Sequence, residues 1–136
     1  MELPWLSRWQ PQVHALLRIV AGLLFLEHGT AKLFTFPLFP QGMPHPLPTM
    51  ILASAVIELV CGLLITLGLF TRLAALVASG EMAVAYFMAH APKGFWPIAN
   101  MGEPAILYCF IFLFLAAAGA GAWSIDGARL KKEPIH

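Results

Sequence analysis

Long apolar runs, separated by short segments rich in proline, glycine and charge, form the main pattern along this chain. Four of these runs approach bilayer-spanning length, at roughly residues 13–34, 49–70, 73–91 and 104–122. About 20 mostly apolar residues in a helix are needed to cross the hydrocarbon core. The pattern therefore predicts an all-α fold, a four-helix transmembrane bundle in antiparallel up-down-up-down order. Residues 1–136 are predicted to form a single integral membrane domain.

The segments between the runs predict how the helices are joined. Five prolines in residues 35–48 exclude a regular helix there and indicate an apolar connector lying on the membrane. The second and third runs meet at Gly68 to Arg72, a segment too short for anything but an antiparallel helix hairpin. In that hairpin, Gly68 is the expected helix stop and Thr71 the expected N-cap of the next helix.

Composition narrows the class of protein. The 136 residues are 60% hydrophobic and 11% charged, against about 45–50% and about 25% in an average soluble domain. A water-soluble domain of this size could not bury so much apolar surface. A formal net charge of +1, with no basic cluster beyond a short C-terminal one, gives no basis for nucleic-acid binding. The expected partner is the lipid bilayer.

The cations that flank the spans are distributed unequally. Five lie on the side of the termini and two on the other side: Arg8, Arg72, Arg129, Lys131 and Lys132 against Lys32 and Lys93. The positive-inside rule then predicts a multi-pass protein of the bacterial inner membrane with both termini in the cytoplasm. The first run is interrupted by Arg18 and Glu27 and lacks a small-residue cleavage site, so it is expected to remain as an anchor.

Ionisable residues within the spans are costly, and they normally face the protein interior. Glu58 and Glu81 fall near the centres of the second and third spans. Glu81 lies on a stripe with Ala74, Ala78 and Ala85, a pattern that lets helices approach closely. The two glutamates are therefore predicted to oppose one another. Two facing carboxylates in low dielectric cannot both stay ionised without a cation, so at least one should hold a proton or bind a positive partner.

Helical spacing places Glu27 and His28 of the first span on different faces, and His28 is the better candidate for the interior. A neutral imidazole both donates and accepts hydrogen bonds and carries protons near neutral pH. Arg18, near the cytoplasmic edge, is interpreted as a snorkelling cation. The predicted catalytic residues are His28, Glu58 and Glu81. The predicted ligand-binding residues are Gly29, Lys32, Tyr86, His90, Trp96, Glu103 and Tyr108.

Three interpretations of the polar layer compete. It is a structural polar cluster, a pocket that exchanges protons with a bound quinone-like molecule, or a metal site built from Glu27, His28, Glu58 and Glu81. Di-iron bundles favour Glu-x-x-His pairs, which are absent here, so no metal ligand is assigned. Haem-attachment Cys-x-x-Cys-His and flavin-type Gly-x-Gly-x-x-Gly motifs are also absent. Any redox centre would be a diffusible quinone or belong to a partner.

Several short motifs in a fixed order resemble those of a known family. They are His28-Gly29, residues 32–34, 58–62, 68–75 and 92–97, and the residues Asn100, Gly102 and Glu103. Together they resemble the DoxX family of small bacterial four-helix membrane proteins. The resemblance implies a quinone-binding or accessory component of membrane redox chemistry, such as thiosulfate:quinone oxidoreduction or oxidative-stress handling. A redox partner protein or a homo-oligomer is the expected protein partner, and the absence of haem and flavin motifs favours an accessory component over a self-sufficient oxidoreductase. The alternative is a non-enzymatic membrane assembly or small-molecule transport protein with a structural polar core.

Overall fold

The computed structural model describes residues 1–39, 42 and 44–130, and every regular element within these ranges is helical. The α-helices are α1 (Pro4–Ser7), α2 (Gln10–Phe34), α3 (Thr49–Leu67), α4 (Thr71–Ala85), α5 (Pro97–Asn100), α6 (Glu103–Ala118) and α7 (Ile125–Leu130). After α4 the chain continues through a π-helical turn, Tyr86–His90, and a 3-10 turn, Ala91–Lys93. The predicted all-α class is confirmed.

Three helical segments are long and apolar enough to cross a membrane, namely Gln10–Phe34, Thr49–Leu67 and Thr71–Lys93. The fourth apolar helix, α6, has 16 residues. It extends only about 24 Å at about 1.5 Å per residue, against a hydrocarbon core of about 30 Å. Large apolar side chains such as Leu16, Val60 and Leu76 are exposed along the long helices. The chain is a membrane protein whose helices contact the bilayer.

Helices α2 and α3 approach closely because glycine lies where they cross. A Cβ atom added at Gly29 would lie 2.6 Å from the backbone nitrogen of Leu59, and one added at Gly62 would lie 2.6 Å from that of Leu26. Small residues at such crossings bring two backbones into contact in membranes. Gly29, which the sequence placed beside a ligand, therefore packs against the neighbouring helix, because the backbone of Leu59 fills the space in front of it.

Helix α4 packs against α6 through the predicted alanine stripe, and α3 packs on α4 to join the two pairs. The hydroxyl of Ser79 donates to the carbonyl of Cys109 across the α4–α6 contact at 2.7 Å. The buried residues of this contact are small or apolar: Ala74, Ala75, Ala78, Phe112 and Leu115. The expected close helix approach is confirmed at Ala74 and Ala78.

Of the two predictions for the turn between α3 and α4, Gly68 as helix stop and Thr71 as N-cap, the first is confirmed. Gly68 adopts a left-handed conformation, φ +70°, and its N–H donates to the carbonyl of Ile65 at 3.1 Å, which ends α3 as expected. The prediction of Thr71 as N-cap is wrong. The carboxylate of Asp126 accepts the N–H groups of Phe70 and Thr71, both at 3.0 Å. A side chain from α7 therefore caps α4.

Helix α6 ends at Ala118, not near residue 122 as predicted, because Gly119 turns the chain at φ +84°. Arg18 is fully buried and binds the carbonyls that follow this turn, so its interpretation as a snorkelling cation is wrong. Its guanidinium donates to Ala122 and Trp123 at 2.9 and 2.8 Å. It also donates to the carbonyls of Ala120 and Ile65. Irregular backbone at membrane depth persists only where its polar groups find partners.

Two more basic side chains extend this arrangement. A ring nitrogen of His14 lies 3.0 Å from the carbonyl oxygen of Gly119, and Arg72 donates to the last carbonyls of α6, those of Ala116 and Ala117. We call His14, Arg18 and Arg72, with the carbonyls they bind, the carbonyl clamp. We call this end of the molecule, with the 68–70 turn and α7, the hairpin end. The opposite end, where α2 finishes and α3 begins, is the connector end.

Candidate functional site

Four polar side chains from three helices meet between the middle of the molecule and the connector end. The ammonium of Lys32 donates to Glu58 Oε1 at 2.9 Å and to Ser54 Oγ at 3.0 Å. Ser54 Oγ lies 3.2 Å from Glu58 Oε1 and 2.6 Å from Glu81 Oε1. We call these residues the carboxylate cluster. It is centred on the hydroxyl of Ser54.

Local structure explains why these side chains converge. Ser54 and Glu58 are four residues apart on α3 and therefore share a helix face. Lys32 lies one turn beyond Gly29, whose close contact with α3 brings the end of α2 within reach of Glu58. Glu81 follows the alanine stripe on α4. The helix contacts that build the fold thus also assemble the cluster.

The cluster is incompletely hydrogen-bonded. Glu58 is only 2% exposed. One carboxyl oxygen of each glutamate, Glu58 Oε2 and Glu81 Oε2, is buried and has no hydrogen-bond partner among the described residues. A buried polar atom without a partner costs about 1–3 kcal/mol, and more when it is charged. Native proteins rarely keep such atoms without a reason, and active or binding sites are one of the usual reasons.

A cavity of about 500 Å³ lies against the cluster. Three members of the cluster, Lys32, Ser54 and Glu81, form part of its wall. The rest of the wall is almost entirely apolar: Met50, Ile51, Ala53, Ile57, Val77, Gly80, Val84, Ala85, Met88 and Ala89. An apolar cavity of this size with a few convergent polar groups is the usual form of a small-molecule site.

His28 lies apart from this cavity. Its Nδ1 is 2.7 Å from the carbonyl oxygen of Leu24, and its ring packs edge-on against Tyr108 and Phe39. It lines a second, smaller cavity of about 160 Å³ together with Glu27. Among the described residues, no hydrogen bond joins His28 to either glutamate of the cluster. The role predicted for His28 stays a prediction, and the structure places it in a different cavity.

Tyr86, His90, Asn100 and Gly102 form a hydrogen-bonded group at the connector end, which we call the latch. The side-chain amide of Asn100 donates to the hydroxyl of Tyr86 at 3.2 Å and to the carbonyl of Gly94 at 2.9 Å. A ring nitrogen of His90 lies 3.0 Å from the carbonyl oxygen of Asn100, and its ring stacks on Tyr86. Gly102 donates its N–H to the side-chain oxygen of Asn100 at 2.8 Å. These contacts hold the segment that joins α4 to α6.

The remaining predicted ligand-binding residues lie outside the large cavity. Trp96 is 68% exposed, and Glu103 is exposed in the first turn of α6. Tyr108 stacks on Phe112 and contacts Phe25 inside the molecule. The structure therefore brings together Lys32, Glu58 and Glu81 of the predicted residues. It does not bring the other predicted residues to the cluster.

Two residues of these polar networks were not identified as site residues from the sequence. Ser54 centres the carboxylate cluster, and the signal for it was its position four residues before Glu58 on one helix face. Asn100 is fully buried and holds the latch together, although it appeared only as part of a family motif. In the described part of the chain, no three His, Cys, Asp or Glu side chains are grouped as metal ligands would be.

Comparisons with known proteins agree with the membrane character of the chain. The family model described as DoxX matches residues 13–91, which is more than half of the sequence. A protein of Haemophilus influenzae, described only as an uncharacterized protein, is 47% identical over 131 residues. That alignment covers 93% of this chain and 98% of the relative. No solved structure matches the chain.

Proposed function

Because the chain belongs to the DoxX family, we propose that it binds a quinone-class amphipathic molecule from the bilayer as a binding or accessory component of membrane redox chemistry. One observation carries this proposal. Glu81, with one carboxyl oxygen lacking a partner, lies in the wall of a largely apolar cavity and connects through Ser54 to a buried ion pair. The family supplies the redox setting, and the cavity supplies a place for the molecule.

The chemistry of the cavity wall suits such a ligand. A quinone has an apolar body and carbonyl oxygens that accept hydrogen bonds. Lys32 carries an ammonium donor at one side of the cavity, while Ile57, Val77 and Val84 offer apolar surface for the rest of the molecule. The glutamates exchange protons with the reduced or oxidised head group of the quinone, because carboxyl groups positioned in a site act as general acids and bases.

The topology completes the proposal. Helix α6 supplies a fourth crossing, although its 16 residues end short of the membrane edge. The carbonyl clamp provides hydrogen-bond donors to the backbone carbonyls that follow the end of this helix. The termini lie in the cytoplasm and the connector end faces outward in an inner membrane. This orientation rests on the unequal distribution of flanking cations. Two of these cations, Lys131 and Lys132, lie outside the described residues.

Binding of a short-chain ubiquinone analogue to the purified protein in micelles, measured by titration calorimetry against empty micelles, tests the ligand and its location. Val84 lines the cavity and Val60 lies on the lipid-facing side of α3, and the two are similarly exposed. We expect Val84→Trp to weaken binding at least tenfold, about 1.4 kcal/mol, and Val60→Trp to leave it unchanged. Equal affinities in the two variants would contradict the cavity assignment. Loss of binding in His28→Phe, with Val84→Trp intact, would move the ligand to the His28 cavity.

The Lys32–Glu58 ion pair favours a second function, that of a non-enzymatic assembly or transport protein with a structural polar core. This pair cross-links α2 and α3 and needs no ligand to explain it. Under this alternative the protein shows no saturable quinone binding, with the native chain and Val84→Trp behaving alike in the same titration. Lipid extraction of the purified protein then yields no co-purifying quinone.

A further inference from the structure

The hydroxyl of Ser54 has three polar neighbours, and their number constrains the protons of the carboxylate cluster. A serine hydroxyl offers one hydrogen to donate and two lone pairs to accept with. Lys32 Nζ, at 3.0 Å, can only donate to it. Glu58 Oε1 and Glu81 Oε1 also lie within hydrogen-bond distance, at 3.2 and 2.6 Å. Ser54 can donate to one of these carboxyl groups and not to both at once.

A proton on the second carboxyl group makes both of these contacts hydrogen bonds at once. If Glu81 is protonated, it donates to Ser54 Oγ, Ser54 donates to Glu58, and Lys32 donates to both Ser54 and Glu58. Every lone pair and hydrogen of the hydroxyl is then used.

Charge selects which glutamate carries the proton. Glu58 forms the ion pair with Lys32 at 2.9 Å and is almost fully buried, so its ionised form has a direct counterion. No cation contacts Glu81 directly among the described residues. One ammonium, one carboxylate and one carboxylic acid sum to zero, whereas two carboxylates would leave a net charge of −1 at membrane depth, which is costly.

We propose that the carboxylate cluster holds one exchangeable proton, that Glu81 carries it, and that Ser54 couples it to the Lys32–Glu58 pair. Glu81 is then neutral, and its O–H can turn from Ser54 to a molecule in the cavity, so the ligand is a neutral carbonyl acceptor and not a lipophilic cation. The ligand class rests on the proposed function, whereas the position of the proton does not.

Delivery of the proton follows reduction of the bound quinone by electrons from a redox partner protein, because an oxidised carbonyl oxygen is too weak a base to take a proton from a carboxylic acid. The O–H of Glu81 turns from Ser54 to the reduced oxygen, and its O–H bond breaks as an O–H bond to that oxygen forms. The Ser54 hydroxyl then rotates from Glu58 to the new Glu81 carboxylate. The other titratable groups near Glu81 are Lys32 and His28 on α2 and Glu58 and Cys61 on α3. Of these, Lys32 and Glu58 share the Ser54 hydroxyl with Glu81.

Labelling with dicyclohexylcarbodiimide, a membrane-soluble reagent, locates the proton. The O–H of a carboxylic acid adds across the carbodiimide N=C bond, and the adduct rearranges to an N-acylurea that carries the whole reagent mass. Residue-resolved mass spectrometry of the native protein in micelles should place this adduct on Glu81 and not on Glu58. Glu27→Gln, which changes an exposed carboxyl group on α2, should leave labelling of Glu81 unchanged.

The Glu58→Gln variant gives the decisive result. It removes the carboxylate paired with Lys32, so Glu81 becomes the one counterion available within the cluster and gives up its proton. Labelling of Glu81 should then fall at least tenfold, although Glu81 itself is unchanged. Glu81 that stays fully labelled in Glu58→Gln would overturn the shared-proton proposal, as would labelling of Glu58 in the native protein. Thermal unfolding of each variant establishes that the labelled protein is folded.

Two ligand probes separate the proposal from the proposed function. Tetraphenylphosphonium should not bind the native protein, and its saturable binding in the cavity, lost in Val84→Trp, would overturn the neutral-donor assignment. The predicted labelling pattern without ubiquinone binding would leave the proton on Glu81 and refute the quinone function. Ubiquinone binding with labelling that is not on Glu81 would support the quinone function and refute the position of the proton.

Discussion

The carbonyl clamp at the hairpin end and the carboxylate cluster towards the connector end both bury charged side chains in an apolar molecule, but they differ in how completely they are paired. Arg18 is fully buried, and its guanidinium makes four hydrogen bonds to backbone carbonyl oxygens. In the cluster, Lys32 is paired, whereas Glu58 and Glu81 each keep a buried oxygen without a partner. Both regions border a cavity, of about 500 Å³ at the cluster and about 590 Å³ at the clamp, but among the described residues only the cluster adds a carboxyl group with an unpartnered oxygen, that of Glu81, to the wall.

Under the proposed function, this difference separates a structural charge from a functional one. A guanidinium surrounded by carbonyl dipoles at a helix C-terminus is stabilised by them and cannot exchange a proton at cellular pH. Carboxyl groups change charge by gaining or losing one proton, and their unpaired oxygens can accept a hydrogen bond or a proton. The proposal therefore rests on a group that can exchange a proton and is incompletely paired, and not on burial alone.

Removal of Arg18 should give the largest effect on stability. Arg18→Met leaves the buried carbonyl of Ala120 and the part-buried carbonyls of Ala122 and Trp123 without this donor, and a buried orphan costs about 1–3 kcal/mol. We expect the free energy of unfolding in micelles to fall by at least about 3 kcal/mol, with a lower yield of monodisperse protein. Arg8 is exposed, so Arg8→Met should change stability by less than about 0.5 kcal/mol. Similar stability in the two variants would show that the clamp does not stabilise the fold.

Removal of Lys32 should cost less, because the cluster can respond by taking up a proton. In Lys32→Met, the cluster loses the two hydrogen bonds of the ammonium and takes up a proton in place of the cation, so the penalty is the lost hydrogen bonds and not a bare buried charge. We expect a loss of about 1–3 kcal/mol, measured against Lys93→Met, where the side chain is exposed. A loss as large as that of Arg18→Met would mean that the two regions are paired in the same way.

Asp126 at the hairpin end should give a smaller, pH-dependent effect. Burial raises the pKa of this carboxyl group, but hydrogen bonds from the backbone of Thr71 and Phe70 outweigh it, so the pKa lies below its ordinary value. The unfolded state therefore binds more protons, and the stabilisation is present above pH of about 4 and is lost as pH falls through the lowered pKa. We expect Asp126→Asn to cost about 0.5–1 kcal/mol at pH 7, the lower part of the N-cap range, because the group is partly solvated.

Unfolding of the native protein and of Asp126→Asn should be compared at pH 7 and pH 3. The difference between the two proteins should shrink at pH 3, whereas Glu2→Gln, at an exposed position, should match the native protein at both. A constant difference between native protein and Asp126→Asn would show that the carboxylate charge does not stabilise the start of α4.

The orientation of the two regions should be measurable with almost no change in stability. In a background without Cys61 and Cys109, cysteine at Ile98, an exposed residue at the connector end, should react with an impermeant thiol reagent from outside intact cells. Cysteine at Ser7 should react only after the membrane is opened. The opposite pattern would place the carbonyl clamp on the outer side and the connector end in the cytoplasm.

Hydrophobic length and spacing determined much of the fold. The apolar runs predicted the helices, Gly68 predicted the end of α3, and the alanine stripe predicted the close approach of α4. These features are local, because run length, helical period and glycine conformation need no distant contact. The DoxX resemblance was confirmed by the family match over residues 13–91.

The tertiary structure alone decided which polar side chains meet. Successive side chains lie about 100° apart around a helix axis. The faces that oppose one another therefore depend on how neighbouring helices are rotated about their axes and how closely they pack. Contacts at Gly29 and Gly62 fix that rotation for α2 and α3, bringing Lys32 to Glu58 and leaving His28 against Tyr108. For the same reason Arg18, which the sequence predicted to be a surface cation, is a fully buried hydrogen-bond donor in the structure. Its partners are backbone carbonyls about 100 residues away, which hydrophobic patterning does not identify.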